Sequence, residues 1–287
     1  MGCIEIEGCL DLGIVGVGLA INESKMTLHK QETVIVRGRS VRLFRGGSGP
    51  RLLFLHDTFC PAWLPLHEKL ASEFEVLVPV HPGFAGSEES FDEFEEMEDL
   101  IFHYLDLCTA LGLDRPALAG ASFGGWIAAE WAVRYGATLK RLILIDALGL
   151  RVDGAPAADI LSLDAATMRQ ALFGDPASAL AMETIPDTPK AEDMVSAILA
   201  RRTLARFAWQ FPDNPRLRRY LYRVKVPTQI IWGERDGFVS TAHGQAYHEG
   251  IAQSEFETIP NVGHLPHIEA AEACAAIMAD FLRNSRA

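Results

Sequence analysis

Positive charge is scarce relative to negative: 26 Lys and Arg face 38 Asp and Glu, for a formal net charge of −12. Phosphate binding rests on clustered cations, so nucleic acid and anionic membrane are excluded as main partners. Cysteine is sparse and odd in number, and Cys3, Cys9, Cys60, Cys108 and Cys274 show neither metal-ligand nor redox spacing. A disulfide scaffold is thereby excluded, and free thiols in a reducing, cytoplasmic compartment are the expectation. Long apolar runs are missing as well. The run at residues 10–20 is too short to cross a bilayer, and it follows Glu5 and Glu7 with no preceding Lys or Arg, the wrong flank for a secretory signal. Ile6 stands where myristoylation requires Ser or Thr. Residues 1–25 therefore read as a poorly ordered extension, with the folded part starting near Met26. His29, His67, His103, His243 and His248 fit helix surfaces or loops and lack metal-site spacing.

What is present is apolar patterning. With 287 residues, 49% of them hydrophobic, the chain suffices for one large domain plus an insertion. Apolar runs of strand length at 33–37, 41–45, 51–55, 75–80, 116–120, 141–146, 227–232 and 255–259 alternate with helical patterns at 61–72, 93–111, 123–136, 241–250 and 268–283. That alternation predicts an α/β fold: a mainly parallel, eight-stranded sheet with helices on both faces, opened by an antiparallel hairpin through Gly38-Arg39. No strand pattern appears over 148–224, where four helices are expected at 163–173, 176–183, 190–209 and 214–224. The domain reading is thus a core of 26–147 and 225–287 interrupted by a helical cap of 148–224. The eight carboxylates within 88–99 read as a solvated helix start, not a calcium site.

Chemistry concentrates at Gly120-Ala121-Ser122-Phe123-Gly124, between an apolar run and a helical pattern. Glycines two before and two after a serine permit a tight strand-to-helix turn that exposes its hydroxyl beside a helix N-terminus. A serine nucleophile needs a base, and the base needs an acid to orient it. Asp236 follows the strand pattern at 227–232 in the loop Gly233-Glu234-Arg235-Asp236, and His264 follows the pattern at 255–259 on a turn before the last helix. Ends of this kind are where open α/β sheets place their sites. Two rivals remain open: Asp146, which ends the strand pattern at 141–146, as the acid, and His267 as the base. Glu234 reads as a solvated loop charge.

Together with Leu53-Phe54-Leu55-His56, the turn His81-Pro82-Gly83-Phe84-Ala85-Gly86-Ser87 and the segment Gly263-His264-Leu265-Pro266-His267-Ile268-Glu269, these motifs resemble the α/β-hydrolase superfamily, specifically its capped serine esterase-like branch. The resemblance spans about residues 33–281. It implies Ser122 as nucleophile, His264 as general base and then acid, and Asp236 as the residue that orients the imidazole. It further implies an oxyanion hole from the backbone amides of Thr58 and Phe123, no cofactor and no metal. The substrate expected is a small-molecule carboxylic ester or related acyl compound, with carbon–carbon bond hydrolysis, lactone opening, acyl transfer or non-catalytic ligand binding as alternatives. Assembly is left between monomer and homodimer. Position 57 departs from the pattern, since Asp57 stands where glycine is common, and a carboxylate aimed into the site would oppose an oxyanion. The pocket is expected from Asp57, Trp126, Phe207 and Trp209, with Met168, Met182 and Phe211 as further cap candidates. The arginines of 201–223 read as a solvated face, with recognition of an acidic substrate group as the alternative.

Overall fold

The computed structural model describes residues 29–87, 91–209 and 212–284. The extension expected at 1–25, Cys3, Cys9 and Phe211 lie outside the described residues. Strands β1 (His29–Val36), β2 (Arg39–Gly46), β3 (Arg51–Leu55), β4 (Glu75–Pro79), β5 (Ala117–Ala121), β6 (Arg141–Ile145), β7 (Thr228–Gly233) and β8 (Ser254–Ile259) form one sheet in the order β1-β2-β4-β3-β5-β6-β7-β8. Pairing is antiparallel for β1–β2 and β2–β4 and parallel from β4 across to β8. The β1–β2 hairpin turns at Arg37 and Gly38 with φ of 52° and 82°, the left-handed geometry whose twist matches paired strands.

Helices α1 (Pro65–Leu70), α2 (Met97–Ala110) and α3 (Phe123–Tyr135) join the strands of the first half. Then α4 (Ala165–Leu172), α5 (Ala179–Thr184) and α6 (Ala191–Ala208) fall between β6 and β7, and α7 (Thr241–Gly250), α8 (Pro266–Glu269) and α9 (Ala271–Arg283) follow. Because strand side chains alternate, the sheet builds a core on each face. Leu53, Leu55, Leu142 and Leu144 pack with Ile101 of α2, Ile127 of α3 and Tyr247 of α7. Leu52, Phe54, Ile143 and Ile145 pack with Leu66 of α1 and Met278 of α9.

The helix patterns hold with local changes. Residues 217–223 wind as a 3₁₀ helix instead of the α-helix expected over 214–224. Asn214 is occupied otherwise: its Nδ2 donates to Glu130 Oε1 at 2.7 Å and its Oδ1 accepts from the Arg216 amide at 2.9 Å. The final helical pattern breaks at Ala270 into α8 and α9. The ends of the segment between β6 and β7 run side by side, with the Gly149 amide donating to Pro212 O at 3.0 Å and the Asn214 amide to Gly149 O at 2.9 Å.

Candidate active site

Ser122 sits at the turn from β5 into α3 with φ 52° and ψ −115°, a backbone that few non-glycine residues adopt. The turn is tight enough that a Cβ on Gly120 would lie 2.3 Å from Gly124 O, and one on Gly124 would lie 2.2 Å from Leu55 O. Larger residues at either position would push apart the strand, the helix and the loop after β3. The Ser122 amide is fixed by Ile145 O at 2.9 Å.

His264 Nε2 lies 2.8 Å from Ser122 Oγ, and His264 Nδ1 lies 2.8 Å from Asp236 Oδ2. The carboxylate favours the proton on Nδ1, leaving the Nε2 lone pair to accept from the serine hydroxyl. Asp236 Oδ1 accepts from the amides of Phe238 and Val239 at 2.8 and 2.9 Å, so the loop after β7 aims the other oxygen at the imidazole. Ser122 and His264 have no solvent exposure, and Phe238 packs edge-on against the His264 ring at 4.8 Å.

The rivals take other places. Asp146 is fully buried, and its Oδ1 accepts from the Gly233 amide at 3.0 Å. Burial and the charge of Asp236 push its carboxyl well above the ordinary range, which favours the neutral acid. Asp146, Asp236 and His264 bring donor atoms within 4.8 Å of one another, but His264 Nδ1 and Asp236 Oδ2 are already joined by their hydrogen bond. His267 is fully buried in α8, and its Nε2 lies 2.6 Å from Asp57 Oδ2.

That contact corrects the place expected for Asp57. Its carboxylate does not line the pocket: Oδ2 accepts from His267 and Oδ1 from the amides of Phe59 and Cys60, the latter at 2.9 Å. A buried carboxylate requires such donors, and three meet it here. Asp57 is also not among the residues with positive φ, so the loop does not need the freedom glycine would bring. Burial pushes the Asp57 carboxyl up, but the hydrogen bond and charge of His267 outweigh it and hold the group below its ordinary value. His56 is pinned beside it, accepting the His81 amide on Nε2 at 3.0 Å while His81 Nε2 donates to His56 O at 2.8 Å. Burial pushes the His56 imidazole down to about 4, in keeping with a ring nitrogen that accepts.

The amides of Thr58 and Phe123 have no hydrogen-bond partner among the described residues. Thr58 also lines a cavity of about 320 Å³ between the loop after β3, the turn containing Phe84 and Ala85, and helices α4 and α6. Its hydroxyl is buried without a partner among the described residues. The walls are mostly apolar, with Phe59, Met168, Ile185 and Ala197 among them, while Arg201, Asp187 and Asp193 supply charge. Asp187 is paired with Arg169 at 2.7 Å.

Of the other pocket candidates among the described residues, only Met168 lines this cavity. Trp209 is 76% exposed at the end of α6, because the face of that helix turned to the core carries Ala200, Thr203 and Leu204 instead. Met182 is also exposed. Trp126 is buried in the core, its indole donating to Glu130 at 3.1 Å, and does not line the cavity. Phe207 packs on Phe123 with ring centres 5.8 Å apart but stays outside the cavity wall. Sequence reasoning missed the hold of α4 on both site loops: Leu172 O accepts the His264 amide at 2.8 Å and Ala171 O the Gly237 amide at 3.0 Å. It missed Glu269 too, whose carboxylate accepts from the amides of Gly263 and Gly174 at 2.7 and 3.0 Å and so ties the histidine loop to the turn after α4.

The family model described as "Alpha/beta hydrolase family" matches residues 52–277. The chain belongs to the alpha/beta hydrolase family. It is similar to the monoacylglycerol lipase ABHD6 of Homo sapiens, 24% identical over 272 residues that cover 83% of this chain and 77% of the relative. It is similar as well to a 2-hydroxy-6-oxo-6-phenylhexa-2,4-dienoate hydrolase of Burkholderia cepacia, 25% identical over 291 residues, 91% of this chain and 98% of that one. Among solved structures, a bacterial membrane phospholipase A superposes with a TM-score of 0.75 at 22% identity, over 88% of this chain and 86% of the other, a likeness of fold. No helix of the described residues is long and apolar enough to cross a membrane.

Proposed function

We propose that this alpha/beta hydrolase is a serine hydrolase that cleaves a carboxylic ester or related acyl compound. The observation that carries the reading is the hydrogen-bonded chain from Ser122 through His264 to Asp236, at 2.8 Å for each link. His264 Nε2 takes the proton as Ser122 Oγ attacks the acyl carbon, and Asp236 stabilises the imidazolium that forms. The oxyanion faces the amides of Thr58 and Phe123, whose donation strengthens as charge develops. His264 then protonates the leaving group, and the acyl-enzyme is hydrolysed by water activated at the same nitrogen.

The cavity of about 320 Å³ beside Thr58 suits an apolar group of moderate size, and the helical segment 148–224 acts as a cap that keeps water from the site. A second reading, carbon–carbon bond hydrolysis, is supported by the Burkholderia relative, matched over 98% of its length. The experiment is a panel: p-nitrophenyl esters of increasing acyl length, lactones and vinylogous β-diketones. Turnover of esters above the others supports the acyl reading, and exclusive turnover of the diketones replaces it with the second.

A further inference from the structure

The loop after β3 carries an acid beside a proposed oxyanion donor, and three histidines lie buried close to it. Asp57, His56, His67 and His267 have at most 1% exposure. A charge in such a place needs a purpose or a partner, and Asp57 has the partner. Its two oxygens are spent differently. Oδ1 closes the local turn by accepting from the amides of Phe59 and Cys60, and Oδ2 reaches across 210 positions of sequence to His267 Nε2 at 2.6 Å. The first contact shapes the loop, and the second ties it to a different part of the fold.

The ends of that tie matter. Asp57 is the residue before Thr58, and His267 is three residues after His264 at the start of a short helix. The tie therefore spans the gap between the segment presenting an oxyanion amide and the segment presenting the base. Other contacts hold each side separately: the loop rests on α3 at Gly124 and on His81, while the histidine segment is held by Leu172 O and Glu269. Among the described residues the Asp57–His267 bond joins the two directly by side chains.

We propose that Asp57 and His267 form a buried strut that sets the position of the Thr58 amide relative to His264, making both positioning residues for the reaction. The inference rests on the reading of Ser122 as the nucleophile. Substrate binding uses the cavity walls and leaves the strut untouched, so weakening it lowers kcat and spares KM. A shift of about 1 Å in a preorganised donor is enough to cost roughly 10²-fold in rate.

The test compares His267→Leu, His267→Gln and the double variant Asp57→Asn/His267→Leu with the parent. Asp57→Asn keeps Oδ1 as the acceptor of the loop amides, so the double variant folds with no unpaired buried charge and serves if His267→Leu alone does not fold. Readouts are kcat and KM for p-nitrophenyl butyrate and the rate of labelling by a fluorophosphonate, whose phosphoryl oxygen occupies the oxyanion position after Ser122 attacks phosphorus and fluoride leaves. The expected result is a loss of roughly 10²-fold in kcat and in labelling rate for His267→Leu and for the double variant, with KM within about threefold. His267→Gln, whose amide N–H still reaches the carboxylate, regains most of the rate. A double variant with kcat and labelling near those of the parent overturns the strut, because it assigns the loss in His267→Leu to the stranded charge. A parent that takes no label at Ser122 overturns the nucleophile reading, and the strut's part in catalysis with it.

Discussion

His103 gives a sharp test of how burial translates into pH dependence. It lies in α2 with 2% exposure, neither ring nitrogen has a hydrogen-bond partner among the described residues, and Phe94 and Tyr104 pack against it with ring centres 5.4 and 5.2 Å away. Burial, reinforced by the cation of Arg39 and opposed by Asp106, pushes its imidazole down to about 4. An unfolded histidine titrates near 6.5, so between roughly pH 6.5 and 4 the unfolded chain binds a proton that the folded chain refuses. The stability tied to the neutral ring is complete above the unfolded pKa and is lost as pH falls through that window. At pH 5 the difference is about 1.5 pH units below 6.5, or ~2 kcal/mol, a large part of the ~5–15 kcal/mol that holds a typical domain. Replacing His103 by Phe suits the aromatic surroundings and removes the proton site. Urea unfolding of parent and His103→Phe at pH 7 and pH 5 measures the effect. Both proteins lose stability on acidification, since His56 and His67 are also held neutral, down to about 4 and about 3. The parent is expected to lose ~2 kcal/mol more than the variant. Equal losses would mean that His103 titrates alike in both states and that its burial carries no pH dependence.

Asp236→Asn should lower kcat by about 10⁴, as the amide favours the wrong imidazole tautomer, whereas Asp146→Asn, which keeps an oxygen to accept from the Gly233 amide, should stay within about tenfold of the parent. Steady-state kinetics on a p-nitrophenyl ester distinguishes the two, and a reversed order would move the acid to Asp146. Thr58→Val removes the buried, unpartnered hydroxyl at the cavity wall and keeps the side chain's shape. If that hydroxyl meets the substrate, kcat/KM falls by about tenfold while Tm holds or rises, because an orphaned hydroxyl leaves the interior. Unchanged kcat/KM would remove the hydroxyl from the site.

The parts of this molecule written in local pattern were legible in its sequence. Strand alternation and the glycines around Ser122 encode the sheet and the turn directly, since Gly120 and Gly124 mark backbone approaches that no side chain survives. The order of Ser122, Asp236 and His264 along the chain follows from strand ends that any open α/β sheet brings together. What was not legible depends on contacts between distant segments. Nothing near His267 shows that Asp57 will meet it, and histidine, equally at home on a surface or in a core, gives no burial signal. The sequence around His67, His103 and His243 therefore fits surface or loop positions, yet all three are buried. Trp209 misled for a related reason, because its size suggests a pocket wall, yet the register of α6 turns it outward.

The proposed reaction turns on the Ser122 hydroxyl, activated by His264 at 2.8 Å, as the attacking nucleophile. Its most direct test is mass spectrometry of the intact protein and its peptides after fluorophosphonate treatment, on the parent and on Ser122→Ala. One covalent adduct is expected in the parent, mapped to Ser122, and a variant that folds with the parent's Tm, takes no label and loses roughly 10³-fold or more of any ester turnover. Labelling that persists in Ser122→Ala, or a fully folded parent that turns over esters without taking label at Ser122, would contradict it.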